Sequence, residues 1–152
     1  MIEKEELLSL IPHRGRMMLL SRIINYNMEE RSIEAEYDIR EDCLFYDSGA
    51  MGLPAWVGFE FMAQTISAFS GINARGKGEA PKRGFVLAVS RLRIDLPFFK
   101  NGDKVKIKMR EIENLFPVFV FEGEVILDSK KVIEGKLTVM EADSETEKGL
   151  YK

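Results

Sequence analysis

The chain is short of the residues on which many active sites are built. It holds one cysteine, Cys43, and one histidine, His13, in 152 residues. A single cysteine excludes an internal disulfide and any multi-cysteine metal centre. It fits a reducing compartment. A single histidine excludes zinc sites built on two or three imidazoles, so no metal site is expected. Any chemistry that needs an imidazole must use His13 or borrow one from another chain. An excess of positive charge is also missing, since 22 basic side chains face 25 acidic ones for a net charge of −3. Broad binding of a phosphate backbone needs a basic excess, so nucleic acid is not an expected partner. Long apolar runs are scarce. The nearest to a membrane span, Leu53–Phe69, is interrupted by Glu60 and Gln64. The start, Met1-Ile-Glu-Lys-Glu-Glu, lacks the basic-then-apolar order of a signal peptide. The expectation is a cytoplasmic protein with no membrane association. No phosphate loop or dinucleotide fingerprint is present, and no cofactor is expected.

What is present reads as one globular domain over residues 1–142, followed by a charged tail, 143–152. Ile2–Leu10 predicts a short helix, stopped by Pro12. Met17–Asn27 reads as a strand with a continuous apolar centre. In Ile33–Arg40, Ile33, Ala35, Tyr37 and Ile39 alternate with charged residues, the period-two pattern of a strand with one wet face. Cys43–Gly52 is loop-like. Lys104–Arg110 alternates in the same way, with its basic row read as a solvated face, the alternative being a carrier-protein contact. Gly84–Ile94, Val118–Leu127 and Val132–Met140 supply three further strands, the last two joined by a tight turn at Asp128-Ser129-Lys130.

Pro54–Phe69 differs from the rest. Pro54 suits a first helical turn and Gly71 a C-terminal cap. The residues between them are apolar on nearly every face, which describes a buried helix about 25 Å long. A helix apolar all round is satisfied if one antiparallel sheet curls about it. The fold class is therefore α+β, with a hot-dog architecture. Such sheets leave an edge open, and a homodimer is expected to close it.

Glu60 stands in the middle of that helix. A buried charged carboxylate costs several kcal/mol unless it is paired or protonated, so it reads either as an acid–base group or as one facing a wet crevice. Gln64 follows at i+4, either a positioning amide or a core amide. The helix start offers the N–H groups of Ala55 and Trp56 to a thioester carbonyl. His13 lies in Ile11-Pro12-His13-Arg14-Gly15, where it is either a structural or an acid–base group. Arg14 and Arg16 beside it could receive an anion or face solvent. Cys43 reads as a small packing residue.

Two stretches carry a family resemblance. Leu10-Ile-Pro-His-Arg-Gly-Arg-Met-Met-Leu-Leu-Ser-Arg-Ile-Ile24 resembles the "L-P-H-R-x-P-x-L-L-V-D-R-V" segment of bacterial 3-hydroxyacyl-acyl-carrier-protein dehydratases. Gly52-Leu-Pro-Ala-Trp-Val-Gly-Phe-Glu-Phe-Met-Ala-Gln64 resembles their "P-G-V-x-x-x-E-x-M-A-Q" helix segment. Pro97 with Asn101-Gly102-Asp103 resembles their later "P-x-x-P-G-D" turn. The helix segment looks closest to a divergent branch found with aryl polyene and related fatty-acid-like pathways.

The resemblance implies a homodimeric hot-dog lyase, with higher oligomers open. Its reaction would be loss of water from a 3-hydroxyacyl thioester of acyl carrier protein or coenzyme A. It places Glu60 on the family's helix carboxylate and Gln64 on its glutamine. Pro54 falls on the proline at the helix start, and Ala55 on the glycine whose N–H polarises the thioester carbonyl. In the family, a loop histidine of one subunit works with the helix carboxylate of the other. Here that loop position is Tyr46, and His13 matches a different, N-terminal histidine. Three readings stay open: His13 replaces the lost imidazole; Glu60 works without a histidine, assisted by Tyr46 or Asp47; or only an acyl-thioester binding site remains, as in a partner subunit of a hetero-oligomer. A hot-dog thioesterase, in which a helix carboxylate activates water, is the remaining alternative.

Overall fold

The computed structural model describes residues 1–13 and 15–142. Arg14 and the expected tail, 143–152, lie outside the described residues. The elements in chain order are β1 (Ile2–Glu3), α1 (Lys4–Leu7), β2 (Arg22–Asn27), β3 (Ser32–Asp38), β4 (Gly52–Pro54), α2 (Gly58–Gly76), β5 (Arg83–Ile94), β6 (Phe98–Lys100), β7 (Lys104–Leu115), β8 (Val118–Leu127) and β9 (Lys130–Ala142).

Seven strands form one antiparallel sheet in the order β1-β2-β3-β7-β8-β9-β5. β4 and β6 form a separate two-stranded ladder. Period-two alternation decides which side of the sheet is dry. Ile33, Ala35 and Tyr37 of β3 and Val105, Ile107 and Met109 of β7 are buried in register, followed by Phe121 and Val125 of β8 and Ile133, Leu137 and Val139 of β9. The polar side chains between them form ion pairs across strands on the other face, such as Lys108–Glu34 and Arg110–Glu122. Phe61, Met62, Ile66, Phe69 and Ile72 of α2 join the buried strand residues in one core. The expected hot-dog arrangement of a curved antiparallel sheet around one helix is the observed one. The tight turn after β8 is also as read: Asp128 and Ser129 both have positive φ (51° and 64°), as a two-residue hairpin turn requires.

Three local expectations are corrected. The first helix covers only Lys4–Leu7, because Ile2 and Glu3 pair with β2 as strand. The strand expected from Met17 begins only at Arg22. Its first residues instead form a 3₁₀ turn at Gly15–Met17 and then irregular chain. The central helix starts later and runs further than Pro54–Phe69. Pro54 closes β4, Ala55–Val57 form a 3₁₀ turn, and α2 continues to Gly76. Gly71 is thus a mid-helix residue and not a cap. Its role is close approach, since a Cβ there would lie 2.1 Å from the Leu10 carbonyl oxygen.

β5 forms an outer edge of the sheet. It leaves Val86, Leu87, Val89, Leu92 and Ile94 exposed. No helix among the described residues is long and apolar enough to cross a membrane.

Candidate active site

Most of α2 is buried up to its exposed last two residues, Arg75 and Gly76, and its half-buried residues share one face. Phe59, Glu60, Ala63, Ser67, Ser70 and Asn73 are only half-buried. Their spacing of three to four residues sets them in a stripe along the helix. The stripe forms one wall of a cavity of about 530 Å³. Arg83–Val86 of β5, Phe119 and Phe121 of β8 and Val139–Glu141 of β9 line it from the sheet, and Pro12, His13 and Arg31 complete it.

His13 reaches this wall because its flanking chain is tied to α2 on both sides. On one side the Leu10 carbonyl sits against Gly71. On the other, Gln64 accepts a hydrogen bond from the Leu19 N–H at 2.9 Å and donates one to the Met17 carbonyl at 2.7 Å. His13 is half-buried, with Nδ1 shielded from solvent. Glu60 lies in the first turn of α2 and lines the same cavity. It is half-buried there, so the wet-crevice reading of its surroundings describes it better than a sealed apolar one.

The other residues singled out in the sequence lie elsewhere. Gln64 is fully buried with both ends of its amide bonded to backbone, which fits the core-amide reading and not substrate positioning. The Ala55 N–H donates to the Pro97 carbonyl at 2.9 Å. It is therefore not the open donor expected for a thioester carbonyl. Trp56 is exposed and meets Phe45 edge-on at 5.4 Å between ring centroids. Tyr46 packs partly against the core; burial and the nearby Glu41 raise its phenol above the usual value. That phenol is neutral at physiological pH, able to donate a hydrogen bond but not to act as a base. Pro54, Ala55, Trp56, Tyr46 and Gln64 are all absent from the cavity wall. Arg16 faces solvent with one N–H directed at the Cys43 carbonyl, and Cys43 is a buried packing residue held near Arg40 and Asp38. Among the described residues no cluster of three or more His, Cys, Asp or Glu could hold a metal ion.

Residues 5–150 match the ApeP-like family, described as ApeP dehydratase. The chain belongs to the ApeP-like dehydratase family. It is 25% identical over 143 residues to the 3-hydroxyacyl-[acyl-carrier-protein] dehydratase FabZ of Methylobacterium radiotolerans, covering 90% of this chain and 87% of that one. It is 28% identical over 144 residues to the FabZ of Sulfurimonas denitrificans, covering 91% and 95%. Among solved structures, a chain of the dehydratase heterocomplex ApeI:P from Xenorhabdus doucetiae superposes with a TM-score of 0.88 at 24% identity, over 96% of this chain and 97% of that one. A hypothetical thioesterase with coenzyme A from Streptococcus pneumoniae superposes with a TM-score of 0.61 at 11% identity, over 80% and 87%. These structural likenesses establish the shared fold.

Sequence reasoning missed the far end of the cavity in this ApeP-like dehydratase. Arg31, Asn73 and Glu111 line it there. The available signal was the polar series Ser67, Ser70, Asn73, which continues the stripe of Glu60 and Ala63 past the point where the helix was expected to end.

Proposed function

We propose that this ApeP-like dehydratase removes water from 3-hydroxyacyl thioesters carried on acyl carrier protein or coenzyme A, in fatty-acid-like or polyene biosynthesis. The observation that carries the proposal is that the chain's one imidazole and its one helix-borne carboxyl group in the apolar segment line the same cavity. The reaction needs a base at C2 and an acid at the C3 hydroxyl. His13 takes the proton from C2, the C2=C3 double bond forms, and the C3–O bond breaks. Glu60 delivers a proton to the departing oxygen, which leaves as water. One positioned acid or base contributes about 10²–10⁴-fold to such a step. Both groups belong to one chain here. The proposal differs from the two-subunit pair that the family resemblance implied, and it assigns His13 the task of the histidine replaced by Tyr46.

A partner chain is part of the proposal. An outer strand with exposed apolar side chains is a template for pairing with another sheet. β5 fits that description, and its occupant is proposed to be a second hot-dog chain, either another copy or a related subunit. The family resemblance sets the Cys43–Gly52 loop, with Tyr46, against the cavity of such a partner. The proposed compartment is the cytoplasm, where Cys43 stays reduced.

Product analysis by mass spectrometry tests the reaction. Purified protein given 3-hydroxyacyl thioesters should yield the enoyl thioester, lighter by one water. Free acid would make the chain a thioesterase. Binding without turnover would make it a non-catalytic acyl-thioester subunit.

A further inference from the structure

We propose that the end of the cavity remote from Glu60 is a polar subsite for a neutral hydrogen-bonding group at the far end of the acyl chain, with Arg31 and Asn73 as its donors. The inference rests on the acyl-thioester reading above and extends it to the class of chain accepted.

The cavity changes character along its length. Ala63 and Ile66 of α2 give it an apolar stretch beyond Glu60, suited to a hydrocarbon chain. A tunnel for a plain alkyl end would close on more side chains of that kind. This one also brings Arg31, Asn73, Ser70 and Glu111 in beside the Phe69 and Phe121 rings. Asn73 lies thirteen residues beyond Glu60 on α2, which is about 20 Å at 1.5 Å per residue.

Arg31 is held there by several independent contacts. It ends the turn between β2 and β3 with φ +57°, a conformation that glycine adopts without strain and other residues do not. Its carbonyl accepts the Glu111 N–H at 2.9 Å. Its Nε and Nη2 donate to the two Glu111 carboxylate oxygens at 2.7 and 3.1 Å. Its guanidinium carbon lies 4.7 Å from the centroid of the Phe69 ring. Its Nη1 donates to Asn73 Oδ1 at 3.4 Å. A guanidinium has five N–H donors, so one on each terminal nitrogen is left over, and so is the Asn73 amide NH₂. Glu111 is nearly buried, its side chain only 6% exposed, while that of Arg31 is 30% exposed.

Charge selects the ligand class. The Arg31 charge is cancelled by Glu111, and Lys82 on the same wall sits 3.5 Å from both Glu79 and Glu141. With the Arg31 charge paired to Glu111, the group that meets Arg31 and Asn73 is a neutral acceptor such as a hydroxyl or carbonyl oxygen.

The test is equilibrium binding by calorimetry to the whole chain. The probes are pantetheine amides with acyl chains of equal length, one series ending in methyl and the other in hydroxyl, over a range of lengths. At the length that reaches Asn73, the hydroxyl-ended probe should bind about tenfold more tightly, the worth of one good hydrogen bond. Asn73→Leu should bring that ratio close to one, with Asn73→Ala as the substitute if the leucine variant does not fold. Equal affinity at every length, preference for the methyl end, or no binding of either probe would overturn the subsite. Dehydration of 3-hydroxybutyryl thioester, too short to reach Asn73, tests the dehydratase reading separately.

Discussion

Gln64 and Leu19, forty-five residues apart in sequence, are joined by a buried hydrogen bond of 2.9 Å from the Leu19 N–H to the Gln64 side-chain oxygen. The amide nitrogen of the same side chain donates to the Met17 carbonyl. One side chain on the central helix thereby replaces the ladder bonds that a strand would have given Met17 and Leu19. It also anchors the segment that carries His13.

Gln64→Leu should accordingly destabilise the fold by about 1–3 kcal/mol, because it strands the buried Leu19 N–H and leaves the part-buried Met17 carbonyl without this partner. In a chain of this size that corresponds to a fall in Tm on the order of 10 °C. Calorimetric unfolding checks it. A loss below about 0.5 kcal/mol would mean that these groups find other partners.

Gly71 and Gly76 make a matched pair of substitutions on the same helix. A Cβ at Gly71 would collide with the Leu10 backbone, whereas nothing lies within 4 Å of one at Gly76. Gly71→Ala should cost about 1–3 kcal/mol through forced displacement of the segment leading to His13. Gly76→Ala should be neutral or stabilising by up to about 1 kcal/mol. Measured side by side, the urea midpoint should fall for Gly71→Ala and stay level or rise for Gly76→Ala.

Acid sensitivity should trace in part to Asp38. Arg22 bonds to Asp38 at 2.6 Å and to Glu36 at 2.9 Å, and the Arg22 hydrogen bond holds the Asp38 carboxyl below the usual carboxylate range. A carboxyl whose folded pKa is depressed stabilises the fold above its unfolded value, about 3.9, and loses that contribution as pH falls through the depressed value. Because Asp38 is about one-third exposed, the contribution is on the order of 1 kcal/mol. The stability gap between wild type and Asp38→Asn should be widest near pH 7 and shrink below pH 4. A gap that is constant with pH would remove the ion pair from the account.

At the sheet edge, Leu87 and Val89 are 53% and 39% exposed on β5. Val89→Lys should oppose pairing of this edge with another sheet. Light scattering should show wild type at the mass of an assembly and the variant at the mass of one chain. An unchanged mass would place the contact elsewhere.

The parts of the fold that were legible in the sequence are those fixed by short-range pattern. Alternation in β3 and β7 announced one dry and one wet face. The apolar character of Pro54–Phe69 on nearly every face announced a helix enclosed by the sheet. Where a residue's role depends on a distant partner, the pattern was ambiguous. Met17–Leu20 is as apolar as a buried strand or as buried irregular chain, and Gln64 decides between them. Gly71 reads as a helix stop until Leu10 is seen against it. The same limit applies to the site. Glu60 stood out by chemistry and His13 by being the only imidazole, but their common cavity is a property of the folded chain. The Ala55 N–H was inferred from its place before the helix, and only the fold reveals the Pro97 carbonyl opposite it.

The most direct test of the proposed chemistry is a double-mutant comparison of dehydration rates for wild type, Glu60→Gln, His13→Ala and the double variant on a 3-hydroxyacyl thioester, with folding verified for each. If the two groups act on one substrate as a unit, each single substitution should lower kcat about 10²–10⁴-fold. The double variant should then be little worse than either. A His13→Ala enzyme that turns over at the wild-type rate would contradict the account and pass the base role to another group.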